Sequence, residues 1–166
     1  MRFSGGTPPG SSPTRIPPQG PADLATLVGK PYPEIAFEVL RRYTAGQFDD
    51  DTLREVCEDA YDFEVPIERV HRRRHVLRLD MGPTASFKDF AARMMGRLVG
   101  RLVQPGEAPL VVLTATSGDT GSAVAHAFSG VPGIEVMVLF PVREVSDRQR
   151  KQMTTIGGNV TTMGVE

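Results

Sequence analysis

One lysine stands where its charge is unfavourable, and this makes it the first candidate for chemistry. Lys88 follows the turn-forming run 82–85, and apolar residues then recur every three or four positions, which predicts a helix with Lys88 in its first turn. The exposed amides of a helix start disfavour a cation, so an amine placed there between Phe87 and Phe90 is expected to lose its proton more easily. Such an amine suits a nucleophile that forms a Schiff base. The alternative is a surface lysine whose stem covers apolar neighbours.

Hydroxyl groups and glycines cluster in a second segment, residues 114–122. It follows an apolar strand pattern and precedes a helical pattern, so its amides lie at a predicted helix start, which favours an anion. Gly118 and Gly121 let the backbone approach a ligand closely. Three hydroxyls add further donors, those of Thr116, Ser117 and Thr120. The glycine patterns of nucleotide-binding loops are absent here. We predict a carboxylate or phosphate site, and the alternative is a turn of small residues that only lets the helix pack on its strand.

The elements around these two segments alternate. Apolar runs predict strands at 110–114, 134–139 and 159–163, with helices from about Asp119 to Phe128 and from Ser146 to Ile156. This order favours parallel strands joined by right-handed crossovers. We therefore expect an α/β fold, with an open and mostly parallel sheet and flanking helices.

Helix ends can be placed from a few residues. Ser146 and Gln149 match a capping box, and Gly157-Gly158 ends that helix. Ser86 and Asp89 resemble an Asp variant of the same box at the start of the lysine-bearing helix. On that helix three arginines stand opposite the apolar face: Arg93, Arg97 and Arg101.

The amino-terminal half has a different organisation. Residues 1–20 contain too few large apolar groups to offset the entropy of ordering, so we expect a flexible arm. Residues 21–75 are a predicted helical region, with one helix starting at Pro33 and another near Asp51. Three adjacent acids precede the second helix, where capping is favoured over metal binding, and we predict no metal site. Residues 76–166 form the α/β part.

Composition narrows the classes of partner. A net charge of -1 and a hydrophobic content of 40% are typical of a soluble globular protein. The basic cluster at 69–78 contains no interleaved aromatic residue, so a solvated loop before a short strand is favoured over nucleic-acid binding. No apolar run is long enough to span a membrane, and the single Cys57 is predicted to be a small core residue. We expect a cytoplasmic protein.

Taken together, the lysine segment 82–90 and the hydroxyl-rich segment 113–121 resemble the threonine synthase family of pyridoxal-phosphate enzymes. The similarity continues through 125–128, 139–141 and 156–159. It implies the tryptophan-synthase-β-like fold of such enzymes, of which residues 76–166 are a partial cofactor-binding domain. It also implies the conversion of O-phospho-L-homoserine and water into L-threonine and phosphate.

The resemblance also implies roles for individual residues. Lys88 is matched to the lysine that joins pyridoxal phosphate, and Asp119 to a side chain near the ring oxygen of that cofactor. The substrate carboxylate is expected on the hydroxyl-rich loop, at Thr116, Ser117, Gly118 and Thr120. Lys88 is in addition the expected proton carrier at the substrate α-carbon.

Two other functions stay open from the sequence. One is another enzyme of the same cofactor fold, a serine/threonine dehydratase or a cysteine synthase, although Asp119 stands where those relatives more commonly carry Asn. The other is a catalytically silent fragment that binds a small molecule. The sequence stops at Glu166, before the loop that holds the cofactor phosphate in the family, so we expect a truncated chain that is inactive by itself. Oligomeric state is left open.

Overall fold

The computed structural model describes residues 18–44, 46–104 and 106–166. Residues 1–17 of the predicted flexible arm therefore lie outside the described residues. The helices and strands are, in chain order, α1 (Pro21–Ala25), α2 (Tyr32–Leu40), α3 (Asp50–Ala60), β1 (Ile67–His71), β2 (Arg74–Leu77), α4 (Lys88–Leu102), β3 (Leu110–Ala115), α5 (Asp119–Phe128), β4 (Ile134–Pro141), α6 (Asp147–Thr154) and β5 (Val160–Val165).

The three carboxyl-terminal strands form one parallel sheet in the order β3-β4-β5. One face of β4 is buried through its alternate residues, Ile134, Val136, Val138 and Phe140. This face packs against α5 and α6, which follow β3 and β4 as crossover helices. The predicted open parallel α/β sheet with flanking helices is therefore confirmed.

Two hydrophobic clusters meet on α4. Ala92 belongs to the cluster around the parallel sheet, and Met94 belongs to a second cluster formed with α2 and α3. Within the second cluster Cys57 is fully buried, as predicted, and burial raises the pKa of its thiol to about 11. Helix α4, which begins at Lys88, therefore packs against both hydrophobic clusters.

The capping of α3 agrees with the sequence. The Asp49 carboxylate accepts hydrogen bonds from the Thr52 backbone N–H at 2.8 Å and the Thr52 hydroxyl at 2.9 Å. These bonds lower the pKa of Asp49. Within the described ranges no group of three histidine, cysteine or acidic side chains is placed to hold a metal ion.

The basic cluster is not the predicted loop before a short strand. Residues 67–77 form an antiparallel hairpin, β1 with β2, whose residues are all exposed. Arg72 turns the chain with a φ of 48°, a left-handed conformation that an arginine seldom adopts. The turn carries neither Gly nor Asn, the usual hairpin signals, and this is why the sequence pattern missed it.

None of the described helices has the length and apolarity needed to cross a bilayer.

Candidate active site

Helices α4 and α5 pack against each other and start at the same end of the pair. A Cβ atom at Gly96 would lie 2.7 Å from the Ala127 carbonyl oxygen, and one at Gly100 would lie 2.8 Å from Val131. The later residue of α4 contacts the later residue of the second segment, so α4 and α5 run parallel. Lys88 precedes Gly96 by as many residues as Asp119 precedes Ala127, which puts the two starts at the same level. The structure therefore brings the two predicted segments to one end of a helix pair.

This end of the helix pair is the carboxyl edge of the parallel sheet. The Thr116 backbone N–H, directly after β3, donates to the Leu139 carbonyl near the end of β4 at 2.9 Å. The opposite ends of the helices meet the amino edge, where a Cβ atom at Gly133 would lie 2.5 Å from the Val103 side chain. Clefts at the carboxyl ends of parallel strands are the usual ligand sites of open α/β sheets.

Lys88 is the first residue of α4, as its spacing predicts. Its Nζ lies 4.5 Å from the centre of the Phe87 ring, and the side chain is half-buried. Across residues 18–44, 46–104 and 106–166, this side chain makes no ion pair or side-chain hydrogen bond, whereas Lys30 pairs with Glu34 and Glu38. The amine of Lys88 is therefore uncommitted to a carboxylate.

The start of α4 is fixed by Asp89, but not through the predicted capping box. Asp89 is completely buried and accepts hydrogen bonds from the Thr84 backbone N–H at 2.9 Å and the Thr84 hydroxyl at 2.7 Å. The helix start has no side-chain cap, and Ser86 receives only the Lys88 N–H on its hydroxyl at 3.3 Å. The predicted capping box is wrong because the buried Asp89 carboxylate accepts two hydrogen bonds from Thr84, in the turn before the helix. A capping box would instead use this carboxylate for one helix-end amide.

The turn before Lys88 is held in an uncommon conformation. Ala85 has a φ of 57°, in the left-handed region, and its N–H donates to the Gly82 carbonyl at 3.0 Å. A Cβ atom at Gly82 would lie 2.5 Å from the Asp89 carboxylate, so glycine leaves room for the buried acid. A left-handed alanine costs about 1–3 kcal/mol and persists only where neighbouring contacts determine it. The contacts of Asp89 provide that constraint directly before Lys88.

An aromatic cluster packs against the first turn of α4. The Tyr61 hydroxyl donates to the Phe90 carbonyl at 3.1 Å, and the Phe63 and Phe90 rings meet edge to face with centres 5.3 Å apart. The Tyr32 ring contacts both Tyr61 and Phe90. Rigid packing on this side leaves Lys88 little freedom of backbone position.

Thr116 organises the hydroxyl-rich loop from within. Its hydroxyl oxygen accepts hydrogen bonds from the backbone N–H groups of Gly118 and Gly121, both at 3.1 Å, and donates to the Gly118 carbonyl at 3.3 Å. The predicted role of Thr116 was to contact a ligand, and the structure shows a hydroxyl already engaged by the loop backbone.

Several donors at the same loop remain open. In the described part of the chain, the backbone N–H groups of Ser117, Asp119 and Thr120 donate to no protein acceptor, and the Ser117 and Thr120 side chains are exposed. The first amides of a helix carry the positive end of its dipole. The start of α5 is therefore suited to a carboxylate or phosphate.

Both glycines of the loop face protein side chains. A Cβ atom at Gly121 would collide with the Thr116 methyl group and lie 2.9 Å from the Met153 sulfur. A Cβ atom at Gly118 would overlap the side-chain amide of Gln149, which donates to Asp119 at 2.9 Å. Tight packing of α5 against β3 and α6 thus requires the small residues, which is the alternative stated for this loop.

Arginines of α4 fasten the helix pair to its surroundings. Arg93 is buried and donates from Nε to the Ala60 carbonyl at 2.7 Å and from Nη2 to the Asp62 carboxylate at 2.6 Å. Arg97 donates to the Ala127 carbonyl at 2.9 Å. These guanidinium groups satisfy carbonyls at or near the carboxyl ends of α3 and α5, where cations are favoured. Desolvation and then the Arg93 charge lower the pKa of His126 on α5.

Three side chains at the site were missed or misread in the sequence. Asp89 was assigned a cap, Gln149 was assigned to α6 alone, and Arg93 was placed on a polar helix face. The partners of Gln149 and Arg93 are distant in sequence, and the partner of Asp89 lies in the turn before the helix. Spacing within one helix therefore gives no signal for these contacts. An acid directly after a lysine in a mainly apolar helix start was the one available indication for Asp89.

The chain is similar to threonine synthases over most of its length. A family model described as threonine synthase N terminus matches residues 11–61. A threonine synthase of Pseudomonas aeruginosa is 36% identical over 150 residues, which cover 87% of this chain. The crystal structure of a threonine synthase from Brucella melitensis with bound pyridoxal phosphate has a TM-score of 0.86 with this chain at 33% identity, covering 93% of it. The corresponding enzyme of Escherichia coli has a TM-score of 0.83 at 32% identity, with the same coverage.

The chain belongs to the threonine synthase family. It spans about a third of the length of the relatives it matches, 32% of the Pseudomonas aeruginosa protein and 35% of the Brucella melitensis chain. The matched structures extend across the α2–α3 region and the parallel sheet alike. Lys88 and the start of α5 therefore lie in a fold that threonine synthases share.

Proposed function

We propose that this chain supplies the lysine side of a threonine synthase active site. The reaction is the conversion of O-phospho-L-homoserine and water into L-threonine and phosphate. One observation carries the proposal: an uncommitted amine at the start of α4 lies level with the open amides at the start of α5. In this arrangement a nucleophile and an anion-binding group would share one end of a parallel helix pair.

Lys88 is the residue that would hold pyridoxal phosphate. The fit is chemical: its amine is half-buried, lies against the Phe87 ring and has no carboxylate partner in the described part of the chain. The donor-rich loop at the same level suits an anionic ligand. When bound, pyridoxal phosphate supplies an electron sink for negative charge next to the substrate α-carbon.

The start of α5 would bind the substrate carboxylate. The N–H groups of Ser117, Asp119 and Thr120 are open, and the hydroxyls of Ser117 and Thr120 stand beside them. Gly118 and Thr116 shape this loop through the hydrogen bonds that join them. Because these donors are fixed before a ligand arrives, little reorganisation is needed on binding.

Lys88 Nζ would also carry the proton at the substrate α-carbon. An amine tethered to a rigid helix start is held at short range, which replaces a collision with an intramolecular step. The buried Asp89–Thr84 contact and the aromatic cluster limit backbone movement at this point. We assign Asp119 to the cofactor side of the loop, where Gln149 orients its carboxylate.

A chimera tests the proposal. The chain is joined to the part of the Pseudomonas aeruginosa threonine synthase that lies beyond the matched region, and phosphate release from O-phospho-L-homoserine is followed together with threonine formation. We expect turnover in the chimera, negligible turnover in the 166-residue chain alone, and a loss of at least about 100-fold on Lys88→Arg, which removes the proton carrier. Lys151→Arg, at an exposed lysine of α6, is the matched control and should keep the rate.

Two results would contradict this function. One is a folded chimera that releases no phosphate, and the other is a Lys88→Arg chimera that keeps its rate. Release of ammonia from serine or threonine, without phosphate release from the phosphorylated substrate, would instead assign the site to a dehydratase of the same fold.

A further inference from the structure

One side chain of α6 reaches the start of α5. The Gln149 Oε1 accepts hydrogen bonds from the Ser146 backbone N–H at 3.1 Å and from the Ser146 hydroxyl at 2.9 Å. Its Nε2 donates to the Asp119 carboxylate at 2.9 Å. A single amide therefore completes the cap of α6 and also holds a carboxylate in the first turn of α5.

The orientation of this amide is determined by its partners. Two donors face Oε1 and a carboxylate faces Nε2, so turning the amide over would oppose donor to donor and acceptor to acceptor. The space for the bridge exists because position 118 has no Cβ atom, which would overlap the Gln149 amide. Glycine at 118 and glutamine at 149 are therefore parts of one contact.

We propose that Gln149 is a positioning residue, which fixes the Asp119 carboxylate and the loop 116–118 before a ligand binds. The identity of that ligand rests on the proposed function, whereas the effect on the loop rests on the bridge alone. The Gly118 carbonyl accepts the backbone N–H groups of Gly121 and Ser122 at 3.1 and 3.4 Å. A bridge that holds residues 118 and 119 consequently orders the amides that form the anion site.

Three variants separate this role from helix capping. Gln149→Glu keeps an oxygen acceptor for Ser146, since glutamate is a normal capping-box residue, but sets a second carboxylate against Asp119. Ser146→Ala removes the cap oxygen and leaves the bridge. The double variant Gln149→Glu with Asp119→Asn exchanges the amide and the carboxylate, so the net charge equals that of the unaltered chain and a hydrogen bond forms in the opposite sense.

Amide hydrogen exchange of the 166-residue chain, read by NMR, measures the effect on the loop. We expect Gln149→Glu to raise the exchange rates of the Gly118, Gly121 and Ser122 amides on the order of tenfold, because a charge-assisted hydrogen bond is replaced by repulsion. The double variant should return these rates towards those of the unaltered chain. Ser146→Ala should accelerate exchange in α6 and leave the α5 amides unchanged, and the amides of α4 are the internal reference.

Titration with inorganic phosphate tests the consequence for binding. The Ser117, Asp119 and Thr120 amide signals should shift on phosphate addition, with affinity lower on the order of tenfold in Gln149→Glu and restored in the double variant. Unchanged exchange in Gln149→Glu, or no recovery in the double variant, would overturn the role of Gln149. A loop that binds no phosphate but shows the predicted exchange pattern would count against the proposed anion site and support the bridge.

Discussion

Two pairs of helices in this chain begin in different ways. Helices α3 and α6 start with side-chain caps, from Asp49 and Ser146, which accept the N–H groups three residues ahead. Helices α4 and α5 start at Phe87 and Gly118 with no side-chain cap. The capped helices follow the local rules of helix stability. Helices α4 and α5, which lack a side-chain cap as α1 and α2 also do, meet at the carboxyl edge of the parallel sheet.

The difference shows what replaces a cap at a ligand-binding edge. The start of α4 is held by the buried Asp89 and by aromatic packing, and the start of α5 is held by Thr116, Gln149 and tight packing around Gly121. These supports approach from the side or from behind. At α5 they leave helix-end donors open, where a carboxylate or phosphate can accept them, whereas at α4 the first amides donate to Ser86 and Phe87 and the open group is the Lys88 amine.

The largest effect on stability is expected at the uncapped start of α5. In Gly121→Ala the added methyl group meets the Thr116 side chain and the Met153 sulfur, within a layer that also contains Val138. Overpacking of this kind costs about 1–3 kcal/mol. Urea unfolding measures the loss, and Thr120→Ala, at an exposed neighbour, is the control with an expected change within about 0.5 kcal/mol. Equal midpoints for the two variants would show that packing does not hold this helix start.

A smaller effect is expected at the capped helices. Asp49→Ala removes the acceptor of the Thr52 N–H and hydroxyl and should cost about 1 kcal/mol in urea unfolding. Asp50→Ala, one residue further along, keeps the cap and loses only a favourable dipole interaction, which salt screening reduces to about 0.3 kcal/mol. If Asp50→Ala destabilises the chain as much as Asp49→Ala, charge and not capping stabilises α3, and the contrast with α5 disappears.

The sequence predicted the parts of the fold that depend on local pattern. Apolar periodicity located β3, β4 and β5 and the helices between them, and the Ser146 and Gln149 pair located the start of α6. The hairpin of residues 67–77 escaped because its turn is made by arginines. Apolar periodicity indicates which face of a helix or strand is apolar, but a turn without Gly or Asn has no comparable sequence signal.

The candidate site was predicted less completely than the fold. The positions of Lys88 and of the loop before α5 followed from motif and spacing, but their supports did not. Asp89 turns back to Thr84, and Gln149 crosses to a different helix, so each contact depends on how elements are stacked. Contacts of this kind are set by tertiary packing, which single-helix spacing cannot express.

The central claim is that the Lys88 amine stands beside an anion-binding helix start, and reductive trapping tests it most directly. The 166-residue chain has three lysines, Lys30, Lys88 and Lys151. It is treated with pyridoxal phosphate in excess, so that weak binding suffices, then reduced with borohydride and mapped by peptide mass analysis. We predict that the label lies mainly on Lys88 and that inorganic phosphate competes with it. Equal labelling of Lys88 and Lys151, or labelling unaffected by phosphate, would contradict the account.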